Sequence, residues 1–258
     1  MTVRFSYELE RTHPVAVLRP FGVLDAYTAP DLRGALVESL TEQPTGLVID
    51  VSDVSLTDDV ALIVLATTAR ESLRWPGTRF AVGGATGAFA ASLDRLGVAQ
   101  YVMMCRDREA ALRELGRWPA PPSSRQRIEP NRFAPGVARE AVQEFCTRWG
   151  IDGDCEAAQL VASELVTNAV LHAGTPIDYS LRFVSPYLHI AVRDGGDGQA
   201  RIAGYVNESS DTGRGLILVD ALATAWGSLV PNSGKIVWAT VRIGSVPRRS
   251  QGPPDLAT

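Results

Sequence analysis

The chain has 258 residues, 45% of them hydrophobic, and a formal net charge of −4. That length suits one large or two ordinary domains, each able to bury a core. The mild acidity leaves no basic footprint for nucleic acid. Residues 1–10 are polar and mixed in charge, unlike a secretory signal. The longest apolar run, 60–66, is far short of the ~20 residues that span a bilayer. Three cysteines (Cys105, Cys146, Cys155) are odd in number and lack CxxC spacing, so neither a disulfide framework nor a zinc site is expected. These features predict a reduced, cytoplasmic protein with no membrane or nucleic-acid partner.

In chain order, residues 15–18 and 23–24 read as strands, and 30–40 as a helix with Thr28 as a cap. The β-branched run at 46–51 predicts a buried strand. A helix over 58–74, a strand over 79–82, a helix over 87–96, a strand over 101–104 and a helix over 108–116 follow. Strands alternating with helices imply crossover connections and a mixed sheet covered by helices. Periodicity then fails at 117–125, where Pro119, Pro121 and Pro122 suggest a semi-rigid linker and a domain boundary.

The second half begins with an amphipathic helix over 133–149 that carries Val137, Val142 and Phe145. A second helix runs from about Asp154 to Gly174, a glycine that suits the position just past a helix end. Glu164, Asn168 and His172 recur at i, i+4 and i+8 and so form one line along it. Beside a nucleotide, the Asn168 amide oxygen can bind Mg2+, and the Glu164 carboxylate can orient or deprotonate a hydroxyl. A solvated helix face, with Ser163 and Thr167 alongside, is the alternative for these residues alone. Residues 177–184 and 187–194 read as a hairpin turning at Ser185-Pro186. Asp194 ends that hairpin, with Gly195, Gly196 and Gly198 behind it. There it can accept a hydrogen bond from an exocyclic amine while the backbone approaches the ring. A polar segment, 199–212, leads to Gly213-Arg214-Gly215-Leu216 at the start of a helix, whose N-terminal N–H groups favour polyphosphate. Strands over 225–229 and 235–243 close the half, and 246–258 reads as a disordered tail.

With these residues in hand, 132–243 resembles the GHKL (Bergerat-fold) ATPases, and within them the small bacterial anti-sigma-factor serine kinases. The resemblance implies ATP and Mg2+ as cofactors. Glu164 would be the catalytic base, Asn168 the Mg2+ ligand and Asp194 the adenine-specifying carboxylate. Gly196, Gly198, Gly213, Gly215 and Leu216 would belong to the nucleotide-binding turns, with 199–212 as the lid. His172 is a supporting candidate, or simply a basic residue favoured at a helix end. Arg214 could neutralise transferred charge or be a solvated arginine. Thr240 would help hold adenine. Lys235, Trp238, His13 and His189 read as structural or incidental.

The first half resembles STAS domains, the fold of anti-sigma-factor antagonists, through Gly22-Val23-Leu24-Asp25, the 47–50 strand, Leu56-Thr57-Asp58-Asp59 and Leu93-Asp94-Arg95-Leu96-Gly97. Antagonists of this kind carry an Asp-Ser pair at the turn, the serine being the phosphoacceptor. Here the pair is Asp58-Asp59, so both are regulatory candidates: a built-in negative charge in place of a switchable one. Any anion at that helix start is also favoured by the dipole. The expected fold is therefore α/β throughout. A STAS-like βαβα domain with a mixed sheet spans 1–116, a linker 117–130, a Bergerat-fold sandwich 131–244 and a tail 245–258. Helices would cover one face of the sandwich's largely antiparallel sheet. Two function classes follow. One is a serine/threonine kinase acting on a STAS-domain antagonist in trans, with a sigma factor as a further partner and a homodimer as the expected assembly. The other is a non-catalytic partner-switching module whose STAS domain regulates the ATPase domain in cis. A sensor histidine kinase is a distant third, for want of an upstream helix with a His-Glu pair.

Overall fold

A computed structural model of the chain describes residues 5–11, 14–151, 153, 155–196, 214–231 and 234–244. The first sheet is built from β1 (Phe5–Glu10), β2 (Val15–Leu24), β3 (Gly46–Asp50), β4 (Asp53–Leu56), β5 (Arg79–Gly83) and β6 (Val102–Cys105). Its order is β1-β2-β3-β5-β6, with β4 extending the pairing of β2. Only the β1–β2 pair is antiparallel. Helices α1 (Ala29–Leu40), α2 (Leu62–Arg74) and α3 (Gly87–Arg95) share a core on one face with Leu18, Leu47, Ile49 and Phe80. On the other face α4 (Arg108–Gly116) packs Ala111 and Leu115 against Val17, Val48 and Ala81. Parallel neighbours joined by helical crossovers put helices on both faces, and the all-buried β3 carries the corresponding apolar run.

The second sheet has the order β10-β11-β9-β8-β7 and every pair in it is antiparallel. Its strands are β7 (Ser123–Ile128), β8 (Ile177–Val184), β9 (Tyr187–Asp194), β10 (Ala225–Leu229) and β11 (Lys235–Arg242). Helices α5 (Ala134–Trp149), α6 (Glu156–His172) and α7 (Arg214–Leu222) cover one face. The core there joins Val142, Phe145, Val161, Leu165 and Val219 to Ile177, Tyr179, Leu181, Leu188, Ile190 and Val237. Burial and its large apolar surroundings push the Tyr179 hydroxyl well above its ordinary range.

The STAS-like half covers the opposite face. Trp75 stacks on Trp238 with ring centroids 5.7 Å apart, and Thr240 Oγ1 donates to the Arg74 carbonyl at 2.6 Å. The buried Arg182 donates to the carbonyls of Gln43, Pro44 and Pro76, the last two at 3.1 Å. Burial, reinforced by Arg125, pushes its pKa down to about 10. Gln43 Nε2 donates to Ser180 Oγ at 2.7 Å, and Arg125 Nη1 pairs with Glu42 at 2.9 Å.

Four expectations change. The segment read as linker, 117–130, contains β7, whose register Ser123↔Arg182 to Ile128↔Ile177 makes it an edge strand of the second sheet. An edge strand exposes one side, so its polar Ser-Ser-Arg-Gln-Arg run carries no core periodicity. The helix over 58–74 is a short 3-10 turn (Asp59–Ala61) followed by α2, with Asp58 as the cap. The start of the chain, read as polar and mixed in charge, includes β1, an edge strand whose Phe5, Tyr7 and Leu9 alternate with polar residues and pack on the core. Cys146 and Cys155 form a disulfide, because the tight turn after α5 returns the chain so that the residue capping α6 meets the end of α5. Among the described residues no helix is long and apolar enough to cross a membrane. The tail at 245–258 lies outside the described residues.

Candidate functional site

Helix α6 buries Ala158, Val161, Ala162, Leu165, Val166 and Ala169 against the sheet. Small residues on that stripe bring the helix close to β9 and leave Glu164 and Asn168 half-buried on its flank. The Asn168 Nδ2 atom is buried and has no hydrogen-bond partner. A buried amide left in that state costs about 1–3 kcal/mol, so the position is one that a ligand would complete.

Along β9 and β11 the side-chain alternation decides which residues share this face. Asp194 follows Leu188, Ile190 and Val192 in parity, and Lys235 follows Val237, Ala239 and Val241, so both lie on the helix side. Asp194 is 3% exposed. Its Oδ1 accepts from the Gly196 N–H at 2.8 Å, while Oδ2 is buried without a hydrogen bond, the Lys235 ammonium standing 3.6 Å away. Thr175, just past the end of α6, accepts from the Gly195 N–H at 2.8 Å and fixes the turn after β9. The sequence reading missed Thr175; its place directly after the helix-ending Gly174 was the available signal.

Gly215, in the first turn of α7, lies against Glu164: a Cβ there would run into the Glu164 carboxylate. The same holds at Gly196, where a Cβ would come within 2.9 Å of Asp194 Oδ1. At both places the backbone approaches a carboxylate closely, and a Cβ would oblige that carboxylate to move. The helix side of the sheet thus carries two close approaches, Glu164 with Gly215 at the start of α7 and Asp194 with Gly196 after β9, and Asn168 lies one turn along α6 from Glu164. Among the described residues no group of three or more His, Cys, Asp or Glu side chains could hold a metal. A site supplying one amide oxygen to Mg2+, and leaving the rest to phosphate and water, does not need such a group.

The other expected site residues divide. His172 is exposed in the last turn of α6, the position favoured for a basic residue by the dipole. Arg214 opens α7. Gly198, Gly213, His13 and the segment 199–212 lie outside the described residues. Leu216 lies in the first turn of α7 with its side chain in the core, 8% exposed and packed with Val219, so that only its backbone could serve a ligand. One expectation is turned round. Thr240 has the opposite parity to Val237 and Val241, so it faces the STAS half, bonded to Arg74 and 3.1 Å from His189 Nδ1. With the Thr240 proton given to Arg74, Nδ1 is the donor of that second contact. His189 is not incidental: burial, with Arg182 nearby, pushes its pKa down to about 4 and holds it neutral in the interface. Asp58 Oδ1 accepts from the Val60 N–H at 3.0 Å, and Asp59 forms an ion pair with Arg95. Both lie at the N-terminal end of α2, whereas the ATPase half is contacted from its C-terminal end.

Residues 129–241 match the family described as the histidine kinase-like ATPase domain, and residues 6–111 match the STAS domain. The chain is thus a STAS domain followed by a histidine kinase-like ATPase domain. Among solved structures it is similar to an anti-sigma factor antagonist from Mycobacterium paratuberculosis, at 27% identity over 43% of this chain and 94% of that one, TM-score 0.39. A variant of RsbS from Moorella thermoacetica matches at 21% identity over 43% and 94%, TM-score 0.38. The phosphorylated Bacillus cell fate determinant SpoIIAA matches at 19% identity over 42% and 99%, TM-score 0.34. No curated protein matches the chain significantly.

Proposed function

We propose that this fusion of a STAS and a histidine kinase-like ATPase domain is an ATP-dependent serine/threonine kinase of a bacterial partner-switching system. Its substrate would be a STAS-domain antagonist supplied in trans, and its output the activity of a sigma factor. The observation that supports the reading is that two polar atoms on the helix side, Asn168 Nδ2 and Asp194 Oδ2, are each buried without a hydrogen-bond partner, with Gly215 closely approached by Glu164 one turn from Asn168. These residues fit ATP and Mg2+. Asp194 would accept from the adenine amine, the Asn168 amide, turned to present its oxygen, would take the metal, and the first turn of α7 would receive phosphate. When bound, ATP supplies the phosphoryl group. Glu164 would orient the acceptor hydroxyl and take its proton as its oxygen bonds the γ-phosphorus and the bond from that phosphorus to the β,γ-bridging oxygen breaks, releasing ADP.

Transfer in trans is favoured by distance. The nucleotide constellation lies on the helix side of the second sheet, and the STAS domain sits on the other side. Within that domain, Asp59 is a further helix length away, about 20 Å for the 13 residues of α2. A second reading, a non-catalytic ATP-dependent binding module, is favoured by one observation: the acceptor position of the STAS turn is Asp59, held by Arg95. Incubation of the full chain with labelled ATP and candidate STAS proteins separates the two. The expected result is phosphate on a separate STAS protein, with Glu164→Gln keeping ATP binding and losing roughly 100-fold in transfer rate. ATP binding without transfer to any STAS protein would establish the second reading, and equal rates in the two proteins would remove Glu164 as the base.

A further inference from the structure

A cavity of about 870 Å³ opens between the two domains, on the face of the second sheet turned away from α6. Its walls come from α1 and α2 of the STAS domain, from β10 and β11, and from the end of α7. Cavities of this size at domain interfaces are common small-ligand sites. Three tryptophans line it: Trp75, Trp226 and Trp238. Trp75, 3% exposed, is stacked on Trp238 with planes 8° apart, which leaves the partly exposed Trp226 and Trp238 as the aromatic surface a further planar ring can meet.

The polar groups lining the cavity are unevenly satisfied. The Trp75 indole N–H is buried with no hydrogen-bond partner. Asp220 already accepts from Trp226 Nε1 at 2.8 Å. Arg33 and Arg74 line the cavity with exposed side chains, and neither guanidinium is hydrogen-bonded or ion-paired among the described residues. The lining carries two carboxylates, Glu71 and Asp220, against the two guanidiniums, but Asp220 is engaged by Trp226, and among the described residues Arg33 and Arg74 make no ion pair with either. An aromatic wall beside two unengaged guanidiniums suits an aromatic ring carrying an acceptor anion. We propose that this cavity is a second small-molecule site, for a planar aromatic carboxylate whose ring lies against Trp226 and Trp238 and whose carboxylate is received by Arg33 and Arg74. The site is separate from the nucleotide constellation, which occupies the other face of the same sheet. A ligand here would touch the STAS domain and α7 together, and so bridge the two domains.

The test is titration of the full chain with 2-naphthoate, followed by calorimetry and tryptophan fluorescence. One saturable site per chain is expected, undisturbed by saturating ATP and lost in Trp238→Ala. The combined variant Arg33→Gln, Arg74→Gln should bind 2-naphthoate about tenfold more weakly, the scale of two exposed charge pairs. It should bind the neutral 2-naphthylmethanol as the parent does. Both arginines are exposed, so this variant keeps the test decisive even where Trp238→Ala disturbs the docking of the domains. Absence of saturable 2-naphthoate binding at millimolar concentration would overturn the proposal. So would displacement by ATP, or equal 2-naphthoate affinity in the parent and the double variant.

Discussion

The two faces of the second sheet are both buried, and they are buried by different physics. On the helix side β8 and β9 present Ile177, Tyr179, Leu181, Phe183, Leu188, Ile190 and Val192, a surface whose burial needs no directional bond. On the STAS side the same strands present Ser180, Arg182, His189 and Ala191, all at most 6% exposed. There Ser180, the two terminal nitrogens of Arg182, His189 and Thr240 are matched to a carbonyl, hydroxyl, amide or ring nitrogen of the facing domain or a neighbouring strand, while Arg182 Nε and the Trp75 N–H are buried without a partner. The apolar face builds the ATPase domain. The polar face fixes where the STAS domain docks, since hydrogen bonds and a buried guanidinium tolerate one arrangement while apolar surfaces tolerate several.

The largest expected effect lies on the apolar side. Leu181→Ala removes a fully buried side chain and should destabilise the ATPase domain by about 2–5 kcal/mol, read by chemical denaturation. A loss below ~1 kcal/mol would mean that this face is not the core.

On the docking side the sharpest handle is pH. His189 has its pKa depressed to about 4 in the folded protein, against about 6.5 when released. Between those values the released state binds the extra proton. The contribution is therefore complete above pH 6.5 and is lost as pH falls towards 4, to a total of about 3 kcal/mol. The Trp75–Trp238 stack should report this as an acid-induced fluorescence change that His189→Gln flattens. An unchanged acid profile in that variant would place the transition elsewhere.

The smallest effect separates the two faces at one residue. Thr240→Val deletes the hydroxyl that donates to Arg74 and should weaken docking by about 1 kcal/mol while leaving ATP affinity unchanged. A tenfold loss of ATP affinity in calorimetry would return Thr240 to the nucleotide face.

Much of this molecule is local, and to that extent the sequence by itself determined it. The i, i+4 spacing of Glu164 and Asn168 needs only a helix, and the hairpin over 177–194 needs only two alternating runs and a turn. Gly215 and Gly196 were legible as close-approach glycines, although only the fold reveals that the groups approached are the carboxylates of Glu164 and Asp194. Strand parity could also have excluded Thr240, since Val237, Ala239 and Val241 mark the core side of β11. Tertiary structure alone decided the rest. β7 is a strand because β8 offers it an edge, and it carries no apolar repeat of its own; β1 does carry one, Phe5, Tyr7 and Leu9 at alternate positions, which was legible in the sequence. Cys146 and Cys155 are partners because a turn folds α6 back on α5. Arg182, His189 and Thr240 read as ordinary polar strand residues. They became the joint between two domains because their partners, Gln43, Pro44, Arg74 and Pro76, lie more than a hundred residues away in the chain for all but the His189–Thr240 contact. Pairings at that separation leave no periodic trace in either segment.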